Sequence, residues 1–126
     1  MTIKSLSSSQ TALIMKKGRA YNSGSFLFKT IDINPDIYNE TSKTVCNGSF
    51  IASKKVFPRA VDRNKSKRRM KEAFVGAVSE IQNTTSLTLL VPPFVFLAKT
   101  NIIKEEFVNI VNEIKQILVK DYIIKQ

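Results

Sequence analysis

The spacing of apolar residues predicts a long central helix. From Met70, apolar residues recur at i+3, i+4, i+7, i+8 and i+11, ending at Ile81, which is the spacing of one face of an α-helix. A shorter helix is predicted over residues 8–17, because Ser7 and Gln10 have the spacing of a capping box and Gly18 is a plausible C-terminal stop. The stripe of the central helix predicts that this helix packs on a core.

A similar apolar stripe in the last third of the chain predicts a C-terminal helix. Apolar residues run from Ile103 to Leu118 at helical spacing, interrupted by Glu106. We predict Thr100 or Asn101 as its N-cap. Glu105–Glu106 would then lie in the first turn, where acidic side chains complement the helix dipole.

Three segments have extended patterns. Residues 25–33 are rich in Phe, Ile and Thr and end before Asn34-Pro35, which favours a strand. Residues 43–53 form either one bulged strand or two short ones, because Asn47–Gly48 is also a strong signal for a hairpin turn. Residues 94–99 form a better strand than 87–93, since Pro92–Pro93 cannot donate ladder hydrogen bonds.

The order of these elements predicts the fold class. Helix, strands, basic helix, strand and C-terminal helix suggest an α/β (α+β) two-layer sandwich, in which helices cover a sheet. A chain of 126 residues is expected to form a single domain, 1–126, with one core. We assign four phenylalanines to that core: Phe74, Phe94, Phe96 and Phe107.

The residue types exclude several classes of protein-borne active site. The chain has no His, so Ser-His-Asp triads, Cys-His pairs and His-rich zinc sites are excluded. A lone Cys46 closes no internal disulfide and fits a reducing cytoplasm. No segment predicts a membrane span or a signal peptide. The acids are scattered and no nucleotide-cradling glycine pattern occurs, so we predict no catalytic residue in this chain.

The charge is strongly positive and concentrated. Lys and Arg number 20 against 10 Asp and Glu, for a net charge of +10. Nine of the 20 basic residues lie between Lys54 and Lys71, with Asp62 as the one acid. Adjacent like charges repel each other and gain no i+4 pairing, so a bound polyanion explains this run better than a solvated helix face does. Nucleic acid is the leading partner.

Helical geometry gives this basic run two sides. At about 100° per residue, Asn64, Arg68 and Lys71 form a stripe beside the apolar face and could line a groove. Lys65 and Arg69 point to the other side of the helix. The helix could therefore lie between two RNA segments, with Arg binding phosphates or base edges through its planar fork and Asn both donating and accepting hydrogen bonds.

Aromatic side chains are candidates for stacking on unpaired bases, which is worth about 1 to 3 kcal/mol per base. Phe26 and Phe28 share one face of their strand, and Phe50 lies in the next extended segment. The alternative is that both faces of the strand are partly buried under helices.

Residues 53–74, SKKVFPRAVDRNKSKRRMKEAF, resemble the signature of the bacterial ribonuclease P protein component. The family pattern has a Ser-Lys-Lys-Val strand end, an Ala-Val pair, an Arg-Asn-Arg box, a Lys-Arg pair and Ala-Phe. These motifs correspond here to Ser53–Val56, Ala60–Val61, Arg63–Lys65, Lys67–Arg68 and Ala73–Phe74. The box carries Lys65 in place of its second Arg, and Thr11 and Lys29 stand where family members commonly have aromatic residues.

The resemblance implies a function. It implies the protein subunit of ribonuclease P, an endoribonuclease that removes the 5′ leader from precursor tRNA. The partners would be the catalytic RNA, which holds the active site and its Mg²⁺ ions, and the precursor leader; we predict neither a membrane nor a protein partner. The implied fold resembles domain 2 of ribosomal protein S5 and contains a left-handed β-α-β crossover.

The predicted sites follow from the basic run and the resemblance. The leader cleft, between the first helix and the sheet, is assigned to Met15, Phe26 and Phe28. RNA contact is predicted for Lys54, Lys55, Arg59, Arg63, Asn64, Lys65, Lys67, Arg68, Arg69 and Lys71.

Two alternatives belong to other classes. A ribosomal or architectural RNA-binding protein shares the charge and the fold but supports no leader cleavage. A basic surface that docks on anionic membranes is disfavoured, because the basic residues flank a core-packing stripe instead of opposing an exposed apolar one.

Overall fold

The computed structural model describes residues 2–31, 45–84, 88–89, 93–121 and 123–124. Its helices are α1 (Ser8–Lys17), α2 (Ala60–Thr84) and α3 (Phe107–Asp121), with a 3-10 helix at Thr100–Ile103. Its strands are β1 (Thr2–Lys4), β2 (Arg19–Asn22), β3 (Phe26–Thr30), β4 (Val45–Ile51), β5 (Thr88–Leu89), β6 (Phe94–Ala98) and β7 (Ile123–Ile124).

Five of these strands form a mixed sheet in the order β1-β4-β6-β3-β2. Strand β4 lies parallel to β1 through residues 45–47 and parallel to β6 through Gly48–Ile51. Strand β3 is antiparallel to both of its neighbours, β6 and β2, and β5 pairs with β7 in a separate ribbon. Helix α2 connects the parallel strands β4 and β6; the left hand of that crossover stays a prediction.

One face of the sheet carries the hydrophobic core. Phe26 and Phe28 of β3 and Phe94 and Phe96 of β6 are at most 1% exposed, and their rings contact one another with centroids 4.7 to 5.7 Å apart. Helices α2 and α3 cover this face, with Phe74 inside the same cluster. The predicted mixed α/β fold is confirmed, as is the core position of three of the four phenylalanines assigned to it.

The opposite face is partly covered by α1. Ile14 of α1 and Val95 of β6 are buried, and the Oγ1 of Thr11 lies 3.4 Å from the Oγ of Ser49 in β4. The bounds predicted for α1 are confirmed, and so is its capping box: the Gln10 amide donates to Ser7 Oγ at 3.2 Å, and the Ser7 amide donates to Gln10 Oε1 at 3.0 Å.

The start of the C-terminal helix differs from the prediction. Neither Thr100 nor Asn101 is the N-cap of α3, because residues 100–103 form the separate 3-10 helix, which Lys99 precedes as N-cap. Glu105–Glu106 precede α3, and Glu105 accepts hydrogen bonds from the side-chain amides of Asn101 and Asn109. Phe107, assigned to the core, is 41% exposed, because it begins α3 at this turn instead of lying inside a continuous helix.

Asn47–Gly48 lies within one uninterrupted strand and forms no hairpin. The glycine has no positive φ, so its freedom to adopt a left-handed turn is not used. Instead, a Cβ at position 48 would lie 2.2 Å from Cζ of Phe94, so the missing side chain makes room for the buried ring. Strand β3 is also shorter than predicted, and residues 32–33 and 43–44 of the predicted strands lie outside the described residues.

Candidate nucleic-acid interface

The basic run starts in a turn that follows β4. The Oγ of Ser53 accepts a hydrogen bond from the Val56 amide at 3.2 Å, and the Phe57 amide donates to the Ser53 carbonyl at 2.8 Å. Phe57 is buried and anchors the turn in the core. The turn therefore projects Lys54 and Lys55 into solvent, where both are exposed.

Arg63 fastens this turn to the start of α2. Its Nη1 donates to the carbonyl oxygens of Phe57 and Pro58, each at 2.9 Å. Arg59 lies in the same segment, 3.9 Å from the carboxylate of Asp62 and largely exposed, so that contact contributes little to stability. Arg63, predicted to contact RNA, thus also holds the local fold.

The remaining cations of α2 project outward because the opposite side of the helix is held in the core. Met70, Ala73 and Phe74 are buried, and the buried Ser66 donates its hydroxyl to the Asp62 carbonyl at 2.8 Å. We define the basic surface as the exposed polar and charged residues of the run: Lys54, Lys55, Arg59, Asn64, Lys65, Lys67, Arg68 and Lys71.

Part of the basic surface lines a groove, as the helical geometry predicted. The groove measures about 370 Å³ and lies between α2, the end of β1 and strand β4. Its α2 wall is formed by Lys67, Arg68 and Lys71. Asn64, which the predicted stripe included, is not among the lining residues, and Lys67 takes its place.

Arg69, also predicted to contact RNA, is hydrogen-bonded within the protein. Its Nε donates to the Ile102 carbonyl at 3.0 Å, its Nη2 donates to the Glu105 carbonyl, and its guanidinium carbon lies 5.9 Å from the centroid of the Phe107 ring. These bonds tie α2 to the segment before α3. The guanidinium is engaged by the protein itself, so Arg69 joins two elements of the fold and is not part of the basic surface.

The prediction that Phe26 and Phe28 line a leader cleft is wrong. They are 0% and 1% exposed, in the core under α2 and α3, whereas α1 lies on the other face of the sheet. Side chains alternate along a strand, so β3 presents Leu27 and Lys29 toward α1. The alternation of side chains along β3 shows that Phe26 and Phe28 share a face, but the sequence did not show which face α1 would cover.

The third residue assigned to the cleft, Met15, does lie on the α1 side of the sheet. It is half-buried, and its carbonyl accepts a hydrogen bond from Lys29 Nζ at 2.8 Å. Lys29, which the sequence analysis did not assign to the cleft, therefore lies beside α1 as well.

The described residues also bear on metal binding and membrane insertion. No three His, Cys, Asp or Glu side chains in the described ranges are grouped so that they could hold a metal ion. Within the same ranges, no helix is both long enough and apolar enough to cross a membrane.

Comparison with known families decides the family to which this chain belongs. A family model described as Ribonuclease P matches residues 6–121. This range includes α1, strands β2, β3, β4 and β6 of the five-stranded sheet, the whole basic run and α3. The chain belongs to the ribonuclease P protein family. The family implies ribonuclease P RNA as the partner of this chain.

Solved structures of ribonuclease P proteins share the fold. The RNase P protein of Staphylococcus aureus matches with a TM-score of 0.58 and 22% identity, covering 92% of each chain. The RNase P protein of Thermotoga maritima matches with a TM-score of 0.62 and 16% identity, covering 93% of this chain and 96% of that one. A comparison with curated proteins finds no significant match.

Proposed function

We propose that this ribonuclease P protein binds the catalytic RNA through its basic surface and helps that RNA to remove the 5′ leader from precursor tRNA. The catalytic centre belongs to the RNA, and this chain supplies binding energy and orientation. The observation that carries the proposal is the exposed array on α2, where Lys67, Arg68 and Lys71 stand side by side above a packed core.

The electrostatics of this array favour RNA as the partner. Within the described part of the basic run, Arg59 lies beside the carboxylate of Asp62. Lys67, Arg68 and Lys71 are exposed to solvent. Phosphates neutralised by such side chains release condensed counterions, which favours binding at low salt. An RNA backbone would supply the negative charge that the run itself lacks.

The α1 side of the sheet is the proposed path of the precursor leader. Met15 and Lys29 lie there, and Ser49 and Ile51 of β4 face the same side by strand alternation. An ammonium group and a hydroxyl suit phosphate and ribose oxygens. Phe26 and Phe28 have no part in this path, since they are enclosed on the other face.

The resemblance of residues 53–74 to the family signature supports two further parts of the proposal. Mg²⁺ ions required for cleavage are held mainly by the RNA partner, and the protein raises affinity for the substrate and for these ions. We place the complex in the cytoplasm, where the single cysteine, Cys46, would remain reduced.

The test is cleavage of a precursor tRNA that carries a 5′ leader, at low Mg²⁺, by a bacterial ribonuclease P RNA with and without this protein. The expected result is removal of the leader at the mature 5′ end, much faster when the protein is present. Tight RNA binding with no stimulation would contradict the proposal and favour an architectural RNA-binding protein.

A further inference from the structure

The groove beside α2 combines three features that the basic surface as a whole does not. It is concave, with a volume of about 370 Å³, and it has an aromatic ring among its walls. Cations from α2 form one wall, and the other is formed by Ile3, Ser5, Gly48, Ser49 and Phe50.

The sheet topology explains why the groove is open. Strand β1 pairs with β4 only as far as Lys4 and Asn47, after which the chain turns away through Ser5 toward α1. From Gly48 onward, the described pairing of β4 is with β6, on its other side. The glycine also places no side chain in this wall.

Phe50 differs from the other phenylalanine rings of the sheet in its exposure. It is half-buried, whereas Phe26, Phe28, Phe94 and Phe96 are almost completely enclosed. Its ring stacks on Phe96 with centroids 5.5 Å apart and planes 8° apart, so packing in the core holds its orientation. A ring that is fixed and partly exposed beside cations is the combination that binds an unpaired nucleotide: the base stacks and the phosphate is neutralised.

We propose that this groove binds one unpaired nucleotide of the RNA partner. The base stacks on Phe50, and Arg68, with Lys67 or Lys71, binds the adjoining phosphates. The inference rests on the proposed function only in taking RNA as the partner. An acidic peptide added along the open edge of β4 is the competing occupant, but its side chains would leave the aromatic ring without a stacking partner.

Base stacking separates this groove from the α1 side of the sheet. By strand alternation, that side receives Leu27 and Lys29 from β3, Ser49 and Ile51 from β4, and Val95 and Leu97 from β6. None of these six is aromatic. These six residues cannot supply the stacking that the groove offers. Loss of the base-dependent affinity in Phe50→Leu distinguishes Phe50 from Phe107, which is 41% exposed and whose ring lies beside Arg69.

The experiment measures the affinity of the whole protein for a five-nucleotide oligoadenylate and for the same strand with three abasic positions, by fluorescence anisotropy at low salt. We expect wild-type protein to bind the intact strand about tenfold more tightly, the effect of stacking one base. Phe50→Leu, which keeps an apolar side chain, should bind both strands equally. Equal binding by wild-type protein, or an unchanged ratio in Phe50→Leu, would overturn the proposal.

Two charge variants complete the design. Lys71→Gln should lower the affinity for both strands alike and leave the ratio of the two affinities unchanged. Lys104→Gln removes an equal charge outside the groove and should change neither affinity. Loss of the ratio in Lys104→Gln would count against the assignment. Displacement of the intact strand by polyglutamate, together with a ratio of one, would identify the groove as a peptide site and overturn the proposal.

A measurement on unaltered protein keeps the test decisive should Phe50→Leu fail to fold. Ultraviolet crosslinking of wild-type protein to the oligoadenylate should give a nucleotide adduct on the peptide that contains Phe50. Adducts confined to other peptides would overturn the proposal. Neither measurement uses the catalytic RNA, so a base-dependent affinity combined with no stimulation of leader cleavage would refute the proposed function and leave the groove intact.

Discussion

The Nε of Arg69 donates a hydrogen bond to the carbonyl oxygen of Ile102 across 3.0 Å, joining the basic helix to the segment that leads into α3. A second donation, to the carbonyl of Glu105, uses the same guanidinium. Arg69→Ala removes both donors, so we expect the free energy of unfolding to fall by about 1 to 3 kcal/mol. Urea denaturation followed by circular dichroism measures the change. An unchanged midpoint would show that these hydrogen bonds do not contribute to stability.

The neighbouring arginine should behave in the opposite way. Arg68 is exposed and lines the groove, so Arg68→Ala should leave the urea midpoint unchanged and weaken binding to ribonuclease P RNA by about 1 to 3 kcal/mol. Filter binding measures the affinity. Full affinity in Arg68→Ala, or greater loss of stability in Arg68→Ala than in Arg69→Ala, would contradict the separate roles given to these two residues.

Salt dependence tests whether the basic surface acts through phosphates. The logarithm of the binding constant should fall linearly with the logarithm of salt concentration, by about 0.7 to 0.9 per phosphate neutralised. For Lys67→Gln the slope should become shallower by about one phosphate. A flat salt response of the wild-type protein would contradict the electrostatic account.

Gly48 is predicted to tolerate no side chain. Its added Cβ would lie 2.2 Å from a ring atom of Phe94, which is completely buried and cannot shift without moving its ring neighbours. Gly48→Ala should therefore destabilise the protein by about 1 to 3 kcal/mol or more, as overpacked cores do. The matched control is Gly24→Ala, where nothing lies within 4 Å of the added Cβ. Equal midpoints for the two variants in thermal denaturation would refute the close contact.

Gly76 should respond with the opposite sign. It lies inside α2, where glycine costs about 0.5 to 1 kcal/mol relative to alanine, and an added Cβ would meet only Val111 Cγ2 at 4.0 Å. We expect Gly76→Ala to stabilise the protein by about that amount, as measured by urea denaturation. A lower midpoint would mean that α2 and α3 approach more closely at this position than the structure shows.

The sequence predicted correctly those features that neighbouring residues in the chain determine. The capping box of Ser7 and Gln10 and the stop at Gly18 fix the ends of α1, and both are read directly from residue types. The apolar stripe from Met70 to Ile81 likewise gave the buried side of α2. Consistent local and tertiary preferences make such segments predictable.

Questions left open by the sequence, and the error at Phe26 and Phe28, arose where tertiary contacts decide between local options. Asn47–Gly48 fits a hairpin turn locally, but the approach of Phe94 explains the glycine. Phe26 and Phe28 share a strand face, and only the position of α1 determines which face is accessible. Arg69 is chemically the same as Arg68, yet the carbonyl groups of Ile102 and Glu105 accept hydrogen bonds from one of them and not from the other.

The exposed cations of α2 are proposed to bind the ribonuclease P RNA and thereby to promote leader removal. The most direct measurement compares wild-type protein with Lys67→Glu/Arg68→Glu for cleavage of a leader-bearing precursor tRNA by ribonuclease P RNA at low Mg²⁺, after circular dichroism has shown both to be folded. We expect stimulation of cleavage by the wild-type protein and little stimulation by the variant. Equal stimulation by the two proteins would contradict this proposal.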